Sequence, residues 1–160
     1  VIGDTHAGGI VFYIADSPTD LDGDGVPDTG LVCATEDQSS GVQWYNGSYS
    51  TIGATATSVG SGATNTATII AAQGEGTYAT SLVRAYEGGG FDDWFLPSRK
   101  ELNLMYVNLH KEGLGGFTNN NYWSATESNG EMAWIQVFAT GYQYHRNKRY
   151  KGIVRAVRAF

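Results

Sequence analysis

The chain has 160 residues, 41 % of them hydrophobic, and a formal net charge of -6, which suits one domain with a proper core and is too short for two comfortable ones. With 22 glycines, 12 % aromatic and only 16 % charged residues, the composition favours a loop-rich fold with short strands over a helical bundle, because glycine weakens helices and serves turns. No run of about eighteen apolar residues exists to span a membrane; the chain starts at Val1 without a charged leader, so it is expected to be a domain excised from a longer protein.

In chain order, Gly9 to Ile14 and Leu31 to Ala34 read as strands bounded by polar, Gly-rich or Pro-containing segments. Cys33 is alone, which excludes an internal disulfide and a Cys-based zinc cage, and it reads as a small buried residue of the second strand. Val42 to Tyr45 is a third strand closed by the turn dipeptide Asn46-Gly47. The Thr-, Ser-, Ala- and Gly-rich region from Thr51 to Thr68 begins as an irregular surface segment. Asn65 is placed to cap a helix through Ile69 to Ala72, which Gly74-Glu75-Gly76 interrupts before helical spacing resumes from Tyr78 to Tyr86. A second helix starts at Ser98, with Glu101 completing a capping box, carries Leu102, Met105, Tyr106 and Leu109 on one face, and stops at Gly113. Tyr122 to Thr126, Ala133 to Phe138 and Ile153 to Val157 are the last strands, with Trp123 and Trp134 read as core. Strands, then helices, then strands predict an α+β domain over residues 1–160 whose sheet mixes both ends of the chain.

The loop between the first two strands is acidic. Asp20, Asp22, Asp24 and Asp28 stand at positions one, three, five and nine, with Gly25 at six and the Val26 carbonyl at seven. This is the oxygen supply of a calcium loop, in which alternate residues turn inward and glycine permits the bend. Position twelve is Leu31 in place of a closing Glu, so the loop at 20–28 is closer to the shorter Asp-rich repeats of secreted proteins than to a helix-flanked EF-hand. A structural Ca2+ is expected, because four neighbouring carboxylates repel unless a cation offsets them; an all-protein cage of this kind disfavours Mg2+.

Convergent catalytic groups are not visible. His6, His110 and His145 are scattered, no nucleophile motif or phosphate-binding loop occurs, and adjacent Asp92-Asp93 reads as a hydrogen-bonded turn, so no enzyme is expected.

Binding is better marked. Residues 1–83 hold nine Asp/Glu and no Lys or Arg, whereas residues 84–160 hold seven Asp/Glu and all ten Lys/Arg. Four of those cations and three tyrosines fall between Tyr142 and Lys151, and Tyr and Arg are the residues in which interface energy concentrates. Gln136, Tyr142, Tyr144, His145, Arg146, Lys148, Arg149, Tyr150 and Lys151 are therefore the candidate ligand-binding residues, on a loop between the last strands. The acidic half argues against a nucleic-acid partner.

Taken together, Gly8 to Tyr13, Asp37 to Trp44, Asn65-Thr66, Asp93 to Asn103, Tyr122 to Glu127, Ala133-Trp134 and Val154 to Phe160 resemble the bacterial family typified by the C-terminal domain of the Legionella collagen-like adhesin, over nearly the whole chain. The resemblance implies a C-type-lectin-like fold with two helices, a mixed, mainly antiparallel sheet and long loops, displayed outside the cell and sometimes as a trimer. In the adhesin branch the ligand is a sulfated polysaccharide, which Arg146 to Lys151 would meet through ion pairs. In the other branch the domain is the variable protein of a diversity-generating retroelement and binds a protein ligand; Tyr142, Tyr144, His145, Arg146, Arg149 and Tyr150 stand where such proteins vary. Two departures are the aspartate-rich insertion and Val83, which stands where the family often has a cysteine. Formylglycine-generating oxidases share the fold, but their reactive cysteine pair is reduced here to Cys33.

Overall fold

The computed structural model describes residues 1–160. Strands β1 (Thr5–His6), β2 (Gly9–Thr19), β3 (Asp28–Cys33) and β4 (Ser39–Val42) precede helices α1 (Gly62–Gln73), α2 (Ala79–Arg84) and α3 (Arg99–Asn108). Strands β5 (Asn121–Glu127), β6 (Met132–Val137), β7 (Gln143–Asn147), β8 (Gly152–Val154) and β9 (Val157–Ala159) follow. They form two sheets, ordered β1-β2-β3-β9 and β4-β8-β5-β6-β7. All pairings are antiparallel except β5 with β8, where Tyr122 faces Ile153. The α+β architecture is the expected one, and its first sheet does mix both ends of the chain, since Leu31 pairs with Ala159.

Local signals explain the elements where they suffice. In α3, Ser98 Oγ accepts the Glu101 N–H (3.3 Å) and Glu101 Oε2 accepts the Ser98 N–H (2.7 Å), the anticipated capping box. Leu102, Met105 and Leu109 are buried together with Phe12, Leu31, Tyr122 and Phe138. After a short 3-10 turn, Gly113 ends the helical stretch at φ 72°, a left-handed conformation that glycine adopts without a Cβ penalty.

Four expectations are corrected by long-range packing. Helix α1 begins at Gly62, not after Asn65, which lies buried inside it and donates to the Ala56 carbonyl at 2.8 Å; the start is set by contact with α3, because a Cβ on Gly62 would collide with the Glu101 carboxylate. The Val42 to Tyr45 strand ends at Val42, since Trp44 turns into the core and donates its indole N–H to the Ser124 carbonyl (2.9 Å). The strand Ile153 to Val157 is two strands in different sheets, separated by Arg155-Ala156. Arg155 is buried at that corner, paired with Asp37 at 2.7 Å and donating to the carbonyls of Ala34, Gly115 and Gly116. Asp93 is likewise not a turn residue: Arg158 grips it with two bonds of 2.6 and 2.7 Å, which hold its carboxyl below the ordinary range.

Candidate binding edge and acidic loop

The stretch Tyr142 to Lys151 is not a loop: half of it is β7, the last strand of the five-stranded sheet, paired with β6 from Met132↔Asn147 to Gln136↔Gln143. Strand alternation divides its side chains between two faces. On one face the Arg146 guanidinium lies 4.0 Å from the Tyr150 ring centroid and donates to the Tyr144 hydroxyl at 2.7 Å. Tyr150 is anchored by the Asn121 amide (2.9 Å) and sits edge-on to buried Trp123, while Tyr142 is 74 % exposed. On the other face His145 stacks on Trp134 with ring centroids 5.4 Å apart, and the Arg99 guanidinium covers that indole at 3.6 Å.

Trp134 is therefore a half-buried platform at the sheet surface and not a core residue. Arg99 is held there by Gln143, which accepts from its Nε (3.1 Å) and donates to its carbonyl (2.7 Å). Beside it Thr57, Arg99, Lys100, Asn103 and Gln143 line a shallow polar depression of about 210 Å3. Ser128 Oγ lies 2.8 Å from His145 Nδ1, a contact that orients the imidazole over Trp134.

Two candidate residues drop out of the surface. Gln136 is fully buried, bonded to Asn103 (2.8 Å), the Gly141 carbonyl (3.1 Å) and Gln143 (3.2 Å), because it faces α3. Lys148 is 1 % exposed; its ammonium pairs with Glu127 at 2.7 Å, donates to the Ser50 carbonyl and lies 4.8 Å from the Trp44 ring. Arg149 and Lys151 remain exposed. Sequence reasoning missed Arg99, Lys100 and Trp134, which lie far from residue 142 along the chain; the pair Arg99-Lys100, directly after an N-cap and so at the open end of a helix, was the available signal.

At the tip of the β2–β3 hairpin, Asp20, Asp22 and Asp28 bring one carboxylate oxygen each to within 4.8 Å of one another, an arrangement that can hold a metal ion. Asp20 accepts the N–H groups of Gly23 (2.6 Å), Gly25 (3.0 Å) and Asp22 (3.3 Å), which hold its pKa below the ordinary value. Burial and neighbouring carboxylates push Asp22 and Asp28 up. Gly25 takes the required left-handed bend at φ 86°. Asp24 does not join the gathered carboxylates; its carboxylate instead accepts the Val26 N–H (2.6 Å).

The fold is an α+β domain whose five-stranded sheet ends in β7. Residues 33–158 match the model of the Lcl C-terminal domain family, and the chain belongs to that family. It is similar in fold to a fimbrial protein from Bacteroides ovatus ATCC 8483, with a TM-score of 0.62 and 14 % identity over 95 % of this chain and 44 % of that one; the chain thus spans less than half of that protein. Comparison with curated proteins finds no match. No helix is long and apolar enough to cross a membrane.

Proposed function

We propose that the chain is an adhesin-like, ligand-binding unit displayed outside a bacterial cell, which engages a negatively charged glycan or protein through the β7 edge. The observation that carries this reading is the distribution of cations. Lys148, Arg155 and Arg158 are locked in ion pairs inside the framework, whereas Arg99, Lys100, Arg146 and Arg149 form none and border one edge beside exposed Tyr142 and Tyr144; Lys151 is also unpaired but lies against Gly41 of β4. Family membership and the likeness to a fimbrial protein support an exposed setting. A binding role also suits Cys33, whose buried thiol is pushed up to about 12 and is unreactive at neutral pH.

Changing Tyr144, Arg146 and Arg149 together to Ala is expected to weaken binding to immobilised heparin, or to whichever matrix protein or glycan of a panel the native domain retains, by about thirtyfold or more, with an unchanged melting curve. Native affinity in that variant refutes the site. Steep loss of binding with added salt assigns a highly charged ligand such as a sulfated glycan.

We read the acidic loop as a structural calcium site that orders the β2–β3 tip, supported by the three gathered carboxylates.

A further inference from the structure

The four sheet edges differ in how they are closed. Strand β1 has two residues, β4 is broken by an irregular register, and β9 is covered by Phe95, which exchanges both backbone bonds with Val157. Short, irregular or covered edges are the usual protections against pairing with another chain. Strand β7 has none of them: its register with β6 is unbroken, it contains no proline, and nothing in the fold pairs with its outer side.

The ladder fixes which backbone groups are free. Val137 N–H donates to the Tyr142 carbonyl and Lys148 N–H to the Glu131 carbonyl, so residues 142, 144, 146 and 148 turn their backbone toward β6. Antiparallel pairing alternates, so Gln143 and His145 turn their N–H and C=O groups outward. The Asn147 carbonyl is already taken by the Tyr150 N–H at 2.9 Å. Two residues with four unpaired backbone groups are thus offered on an edge flanked on one face by Arg146 and Tyr144 and on the other by His145, Trp134 and Arg99.

We propose that β7 receives an extended acidic peptide segment of a protein partner as an added strand, with Gln143 and His145 supplying the backbone bonds and Arg99, Arg146 and Arg149 meeting its carboxylates. This rests on the binding-edge reading and narrows its ligand to a polypeptide. Strand addition draws affinity from main-chain bonds and selectivity from alternate side chains. The charge supplies the rest: a second copy of β7 carries a cation and no carboxylate, so it offers the arginines no counter-charge, whereas an acidic strand is drawn to both faces.

The test uses a synthetic peptide of about nine residues alternating Val and Glu, its Val/Lys counterpart, and the acidic peptide N-methylated at alternate residues. The native domain is expected to bind the acidic peptide, with amide shifts at Gln143 and His145, and to bind the other two at least about tenfold more weakly. His145→Pro removes an outward N–H that edge strands can lack without unfolding, and it should lose about tenfold more affinity than His145→Ala. No binding of the acidic peptide at about 1 mM overturns the proposal, as does equal binding of the N-methylated peptide. If heparin then still binds and the triple Ala variant still loses it, the binding edge stands and only strand addition fails.

Discussion

Removing the Lys148 side chain would isolate a buried carboxylate. Glu127 is 2 % exposed and already accepts the N–H groups of Ile52 and Gly53, so Lys148→Ala is expected to cost about 3–5 kcal/mol in urea unfolding. The double change Lys148→Met with Glu127→Gln should recover much of that loss, because no unpaired charge is left behind. Glu101 sets a second residue-scale prediction. Burial pushes its pKa from 4.5 up to about 7, against N–H groups of Ser98, Gly60 and Gly62 that favour the anion. The folded protein then keeps this proton to higher pH than the unfolded chain does. The stabilisation is complete below the unfolded value of 4.5 and is lost as pH rises to about 7, an effect of about 3 kcal/mol. Glu101→Gln lacks this proton, so the stability of the native protein relative to the variant should fall across that window; a flat difference refutes the assignment. The capping box was legible because its partners are three residues apart. The burial of Lys148 was not, because its counter-ion lies 21 residues away and nothing local distinguishes it from Arg149.

Hairpin β2–β3 carries the acidic loop at its tip, and the calcium site proposed there makes the element's stability the quantity to measure. Saturation at about 100 times Kd stabilises by about 2.7 kcal/mol, so millimolar calcium should raise the melting temperature of the chelated domain by about 5–10 °C. Asp22→Asn should remove the shift, and Asp24→Asn should largely keep it, because Asp24 stands outside the gathered carboxylates. The upward displacement of Asp22 and Asp28 makes protons compete for the site, so the calcium effect should fade on acidification before ordinary carboxylates titrate. The loop could be read from sequence because all its oxygens lie within nine positions. The division of the final strand into β8 and β9 could not, since Ile153 to Val157 holds no glycine, proline or other turn residue to mark a break, and only the positions of β5 and β3 decide where it falls.

Across the whole molecule, that break is where the two sheets are joined. Arg155 spans it, with Asp37 on its Nε, carbonyls on its remaining nitrogens and the Phe117 ring 4.2 Å from its guanidinium carbon. Arg155→Ala is expected to lower unfolding stability by about 3–5 kcal/mol, and Arg155→Lys to recover little, because an ammonium cannot reproduce the planar fork; full rescue by Lys refutes that geometry. The opposite charges of the two halves of the chain were plain in the sequence, but their arrangement was not: three of the cations hold the framework together, and Arg99, Lys100, Arg146 and Arg149 gather near β7 without ion pairs. The sheet-joining corner also dictates an order of events. Leu31 waits for Ala159, and Tyr122 for Ile153, so neither sheet closes until the last residues of this sequence have emerged from the ribosome. Such distant pairings place the domain among slow folders, with β2 and β3 exposed to proteases and chaperones for most of its synthesis.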